Sequence, residues 1–269
     1  MQPVRLAFSG SGFLAGIHAG AAAAVLDSGR QIIEVAGTSG GSIAAAAVSL
    51  GFTSDELHQL ATSDMSSLLE LDLSALFHGD YCSGDNLEAW LSEQFNGAVM
   101  AAATIPTQII ATDVRNKAPL IFSPESYPHA PFALACRASS AVPFVYAPVI
   151  FDGVYLADGG MVANCPADRL TVDSALRIGI DVASKSTVET SPPWAYAGSL
   201  VELLLSSAEG TEIRLGEATG ATVLKVPTTE FFLDTALPLD RKQSLFDAGY
   251  NAVKSLLTPQ SANGIGGTG

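Results

Sequence analysis

Residues Gln31–Leu50, QIIEVAGTSGGSIAAAAVSL, join a short apolar run to a run of alanines through five small residues, Gly37-Thr38-Ser39-Gly40-Gly41. Ile32–Ala36 reads as a strand, and Gly40–Leu50, almost all good helix formers or small residues, reads as a helix. A serine between two such elements fits the sharp strand-to-helix turn that lifts a hydroxyl above a sheet, where the helix N-terminus favours developing negative charge. With 25 glycines in the chain, a Gly-x-Ser-x-Gly pattern arises readily by accident, and the rival reading is a plain Gly/Ser turn. The strand before it and the helix after it favour Ser39 as a nucleophile.

Working outward, Val4–Phe8 reads as a strand and Phe13–Asp27 as a helix, so the chain opens βαβα, which predicts a largely parallel sheet with right-handed crossovers. Thr53-x-x-Glu56 is a capping-box pattern that starts a helix over 54–61. Further helices are expected over 85–95, 132–137, 194–207 and 240–257, and further strands over 107–111, 119–122, 175–182 and 222–226. Val149-Ile150-Phe151 and Val154-Tyr155-Leu156 flank Asp152-Gly153, the strongest hairpin signal in the chain. No repeat or linker divides it. The reading is α/β, a largely parallel central sheet suited to helices on both faces, in one domain over 1–258 with a flexible tail over 259–269.

The 269 residues (27.7 kDa) suffice for one sizeable core, and 48% hydrophobic against 15% charged residues, with mean hydropathy +0.32, excludes a disordered chain. A net charge of -14 makes nucleic acid and strongly anionic membranes poor partners and leaves membrane contact at most peripheral. No apolar run is long enough to span a bilayer, and the N-terminus lacks the basic region of a signal peptide. Cys82, Cys136 and Cys165 are odd in number and lack metal-ligand spacing, so reduced thiols in a cytoplasm are expected, with no metal and no cofactor. Oligomeric state is not legible.

A serine nucleophile needs a base and donors for an oxyanion. In α/β-hydrolases the base is a histidine late in the chain, but none follows His129 here, and Ser39 follows only the second strand. The alternative is a carboxylate, and Asp158 stands at the end of the second hairpin strand, before Gly159 and Gly160, which admit close backbone approach. Partial burial raises an aspartate pKa towards what a base at neutral pH needs. The plain reading of Asp158-Gly159-Gly160 is a turn. Oxyanion donors are expected from the loop Ser9-Gly10-Ser11-Gly12-Phe13, ahead of a helix, with Gly40. Its rival is a dinucleotide-binding loop, which requires an acid ending the second strand; Glu34 lies inside that strand and fits poorly. His18 is expected to be packed and structural, Cys165 a small buried hydrophobe and Asp113 a turn anchor. Phe231-Phe232-Leu233 and 194–205 are expected to pack in the core rather than to form a groove or lid.

Together, the loop Phe8–Leu14 with His18 and Gly20, the elbow Gly37–Gly41, the segment Cys136–Phe144, and Asp158-Gly159-Gly160 with Asn164-Cys165-Pro166 resemble the patatin-like phospholipases across residues 4–183, and Leu239–Leu257 resembles that family's closing helix. The resemblance implies a Ser39–Asp158 dyad acting on ester bonds of lipids or small acyl esters, a three-layer α/β/α fold and no metal. In the family's commonest loop a basic residue stands where this chain has Leu14, and a glycine where it has Ala15. The Gly-Phe-Leu version here is closer to the adipose triglyceride lipase branch, which leaves the backbone donors in place. Acyltransferases of the malonyl-transfer type share the serine elbow but pair it with histidine, which this chain supplies poorly.

Overall fold

The computed structural model describes residues 1–69, 82–184, 203 and 209–258. Apart from Leu203, which is helical, the expected helix over 194–207 lies outside the described residues, as do the tail over 259–269 and His78.

Five strands, β1 (Val4–Phe8), β2 (Ile32–Thr38), β3 (Thr107–Asp113), β7 (Leu176–Ser184) and β8 (Thr222–Thr228), run parallel in the order β3-β2-β1-β7-β8. At the β3 end, β4 (Ala118–Phe122) and the hairpin β5 (Val149–Phe151)–β6 (Val154–Asp158) join antiparallel, so the eight-stranded sheet is mixed at one side only. The hairpin turns on Asp152 (φ 50°) and Gly153 (φ 76°), both left-handed, as a tight two-residue turn matching the strand twist requires.

Side chains alternate across β1: Val4, Leu6 and Phe8 enter the larger core, whereas Ala7 enters a smaller one with Ala36, Cys165, Leu170 and Ile213. The larger face is covered by α1 (Gly16–Asp27), α2 (Gly40–Ser49), α3 (Ser54–Thr62), α4 (Asp85–Gln94), α5 (Phe132–Ser139) and α7 (Leu239–Leu257). The smaller face is covered by the 3-10 turn Pro166–Arg169 and by α6 (Glu209–Ala218). Helices on both faces make the three layers expected. Helix α1 is apolar all round because α3 and α7 pack over it, burying every residue from Gly16 to Val25. Thr53 caps α3 with the reciprocal capping box.

Two details differ from the sequence reading. The helix expected from Phe13 starts as a 3-10 turn, Gly12–Leu14, and becomes α-helical only at Gly16, because Gly12 takes φ 56° and breaks the ladder. Helix α6 has no strong apolar periodicity and was not expected. Strand β6 ends at Asp158 as expected, with β3 extending to Asp113 and pairing with both Ala157 and Asp158. Among the described residues no helix is long and apolar enough to cross a membrane.

Candidate active site

The register of β3 brings two distant segments together. Thr38 at the end of β2 pairs with Ile110, and Asp158 at the end of β6 pairs with Ala111, the next residue. Strand β4 occupies the other edge of β3 over 109–113, so β2 and β6 share one edge and meet end to end. The residue after Thr38 therefore faces Asp158.

That residue is Ser39, whose φ of 51° and ψ of -129° place it in a region costing a non-glycine residue about 1–3 kcal/mol. Hydrogen bonds on both sides hold it there. Its N–H donates to Ser139 Oγ at 2.8 Å, and that hydroxyl donates in turn to the Ile110 carbonyl at 2.5 Å. Its carbonyl accepts from the Ser42 N–H (2.8 Å) and the Ser42 hydroxyl (2.6 Å). The turn is tight: a Cβ on Gly159 would lie 2.0 Å from the Ile110 carbonyl oxygen, and one on Gly40 would lie 2.2 Å from the Gly12 carbonyl oxygen.

Ser39 Oγ donates to Asp158 Oδ2 at 2.7 Å, and Asp158 Oδ1 accepts from the Gly160 N–H at 2.7 Å. The Asp158 backbone is fixed as well, its N–H by the Ala141 carbonyl (2.9 Å) and its carbonyl by the Thr112 hydroxyl (2.7 Å). Asp158 is 0% exposed, and burial pushes its pKa up to about 7, with the Ser39 and Gly160 donors pulling the other way. A buried hydroxyl joined to a carboxylate that titrates near neutrality is a pair able to pass a proton.

The glycine loop lies against this pair, but not all of its expected donors are uncommitted. The Gly10 N–H donates to the Asn164 carbonyl (3.0 Å) and the Phe13 N–H to the Phe232 carbonyl (2.8 Å), which corrects the expectation that these two serve an oxyanion. The reason is packing: Asn164 follows the Asp158 turn, and Phe232 lies over Gly12. The N–H groups of Ser11, Gly12 and Gly40 make no hydrogen bond among the described residues. Gly12, Phe13, Ser39 and Gly40 line a cavity of about 30 Å³, together with Ile43, Leu87, Ser140, Val142, Tyr146 and Leu233.

Gly37 and Gly41 bracket the elbow, where Gly41 abuts the carbonyls of Phe8 and Ser9. His18 is fully buried edge-on to Phe8, and burial drives its pKa down to about 3, as a packed neutral histidine requires. No histidine among the described residues hydrogen-bonds Ser39 or Asp158. Cys165 is buried, Asp113 anchors a turn through the N–H groups of Arg115 and Asn116, and Leu14 is buried in the core. Phe232 is buried, whereas Phe231 is half exposed and Leu233 faces the cavity, so this segment belongs only partly to the core. Glu34 accepts from Arg5 and from Thr171, which removes the ribose-binding acid that a dinucleotide loop requires. Sequence reasoning missed Ser139: one serine in an Ala/Ser run carries no signal until the fold places it beside the elbow. Among the described residues no cluster of histidine, cysteine and carboxylate side chains is suited to a metal.

Comparison with known proteins places the chain among relatives and folds. Protein R571 of Acanthamoeba polyphaga mimivirus is 25% identical over 94% of this chain and 93% of its own length. YqhO of Bacillus subtilis is 26% identical over 59% of this chain and 64% of its own. Among solved structures, VipD of Legionella pneumophila superposes with TM-score 0.58 at 12% identity, and the type III effector ExoU with TM-score 0.53 at 12%. Each match covers 95% of this chain, which spans 66% of VipD and 52% of ExoU, and likeness at such identity speaks for the fold alone. The family model for patatin-like phospholipases matches residues 6–171, which hold both Ser39 and Asp158, and the chain belongs to that family.

Proposed function

We propose that the chain is a lipid acyl hydrolase that cleaves carboxylic esters of lipids or small acyl groups, with Ser39 as nucleophile and Asp158 as the base. The observation carrying this reading is the 2.7 Å hydrogen bond from the strained, buried Ser39 hydroxyl to a carboxylate whose pKa is raised to about 7. Family membership supports the substrate class.

Ser39 Oγ attacks the acyl carbonyl carbon as its proton passes to Asp158 Oδ2. The carbonyl π electrons move onto oxygen, and the N–H groups of Gly12 and Gly40 face the resulting oxyanion; Gly40 lies at the N-terminus of α2, whose dipole favours negative charge there. Collapse breaks the bond to the alkoxy oxygen, which leaves with the proton from Asp158, and Ser39 keeps the acyl group. Water then attacks the acyl carbon, its proton taken by the same carboxylate, and the free acid departs as Ser39 regains its proton. Ile43, Leu87, Val142 and Leu233 make the surroundings of Ser39 apolar, in keeping with an acyl substrate.

The test pairs a fluorophosphonate probe with hydrolysis of p-nitrophenyl esters by Ser39→Ala and Asp158→Asn. Labelling confined to Ser39, with turnover lost in both variants, is expected. Labelling of another serine, or full hydrolysis by Ser39→Ala, overturns the assignment. A panel of short-chain esters, triglycerides and phospholipids then assigns the natural substrate.

A further inference from the structure

We propose that Ser140 is a further catalytic residue whose hydroxyl donates a hydrogen bond to the oxyanion of the acyl ester, beside the N–H groups of Gly12 and Gly40. The proposal rests on the reading of Ser39 and Asp158 given above.

The two neighbours of Ser140 each grip one member of the pair. Ser139 Oγ accepts the Ser39 N–H at 2.8 Å, and the Ala141 carbonyl accepts the Asp158 N–H at 2.9 Å. Ser140 is thereby held between the proposed nucleophile and base. Its own backbone is committed, the N–H to the Cys136 carbonyl (2.9 Å) and the carbonyl to the Val142 N–H (2.8 Å), so the side chain is what it has left to offer.

That side chain is 8% exposed, and its hydroxyl makes no hydrogen bond among the described residues. Buried hydroxyls are ordinarily paired, and one left unpaired beside reacting groups calls for a use there. Ser140 lines the cavity that contains Ser39, Gly12 and Gly40. Among the described residues, three lining side chains carry a polar atom: Ser39, which is committed to Asp158; Tyr146, whose hydroxyl donates to the Leu68 carbonyl at 2.9 Å; and Ser140. Of these lining residues, Ser140 is the one whose side-chain donor is uncommitted, its hydroxyl buried beside the site. With Gly10 and Phe13 spent on other carbonyls, it adds a side-chain donor where the loop supplies fewer backbone donors than expected.

The experiment compares wild type, Ser39→Ala, Ser140→Ala and Ser140→Thr on a short-chain p-nitrophenyl ester, with thermal melts of each and fluorophosphonate labelling rates of the variants that keep Ser39. Loss of one oxyanion donor predicts a fall in kcat of about 10²-fold for Ser140→Ala with KM little changed. The labelling rate should fall in step, and Tm should hold or rise because no hydrogen bond within the chain is lost. Ser140→Thr, which keeps the hydroxyl, should recover most of kcat. An undiminished kcat in folded Ser140→Ala refutes the proposal, as does a loss carried by KM alone. So does equal damage in Ser140→Thr with a lowered Tm, which would mark a packing role. A wild type that turns over no ester refutes the reading of Ser39 itself, and this proposal with it; an active wild type with an equally active Ser140→Ala refutes this proposal alone.

Discussion

Replacing Asp158 by asparagine should abolish ester turnover and, at alkaline pH, stabilise the protein. The carboxyl group is wholly buried, with a pKa raised from 3.8 to about 7, a gap corresponding to about 4 kcal/mol. Between about pH 4 and 7 the native chain holds a proton on Asp158 that the unfolded chain has released, so stability declines as pH rises through this window and levels off above it. Asparagine is neutral throughout: its carbonyl oxygen still accepts from the Gly160 N–H, and its amide donates to Ser39 Oγ, which turns from donor to acceptor. The variant escapes the decline. Glu212, also raised to about 7 by burial, titrates in the same window but is present in both proteins and cancels from their difference. Urea unfolding at pH 5 and pH 8 reads the effect. Wild type and variant should lie close at pH 5, and the variant should gain roughly 1 M or more in midpoint at pH 8, for an m-value of a few kcal/mol/M. A midpoint difference that is the same at both pH values would show that Asp158 is not held protonated by burial, and the case for it as a base of neutral pKa would fail.

The same titration should set the acid limb of the rate profile: kcat/KM should rise with pH through about 7 and flatten above it, and Glu212→Gln should leave that limb in place, whereas an acid limb near 4 would contradict a buried base. Ser139→Ala strands the buried Ser39 N–H and the Ile110 carbonyl, at about 1–3 kcal/mol for each unpaired group, and should lower both Tm and kcat; an unchanged melt would mean the elbow needs no such support. Gly159→Ala forces a methyl to within 2.0 Å of the Ile110 carbonyl oxygen and should cost about 1–3 kcal/mol or more, read by denaturant midpoint, with a matching loss of turnover; a soluble, fully active variant would show that β6 can shift along β3.

Local pattern made much of this legible. The strand before Ser39, the capping box at Thr53, the Asp152-Gly153 hairpin and the closing helix are each encoded within a few residues, and the structure reproduces them to within a residue or two. What escaped depends on contacts across the chain. Helix α6 shows only in its packing, where Ile213 meets Cys165 and Ala167. The donors of the glycine loop could be named from its glycines. Which of them are spent depends on Asn164 and Phe232, whose approach no local spacing reports. Ser139 and Ser140 were visible as a segment and mute as residues, because one hydroxyl meets the elbow and the next is buried unpaired beside it only once α5 has docked.

The register on β3 also bears on how the proposed base can be a lone carboxylate, where α/β-hydrolases use a histidine. An aspartate at its ordinary pKa near 3.9 takes a proton from a serine poorly. Removing it from water raises that value, yet every donor added to satisfy the buried anion lowers it again. Among the described residues Asp158 accepts two side-chain hydrogen bonds, from the Ser39 hydroxyl it would deprotonate and from the Gly160 N–H that aims it. The other polar groups nearby are turned elsewhere: the Thr112 hydroxyl goes to the Asp158 carbonyl rather than its carboxylate, and the Ser139 hydroxyl to Ile110. The site thus rations donors around the carboxylate while concentrating them on the backbone that carries it. Geometry is held rigid while the anion stays undersatisfied, and the stability forgone above pH 7 is the physical counterpart of the basicity gained.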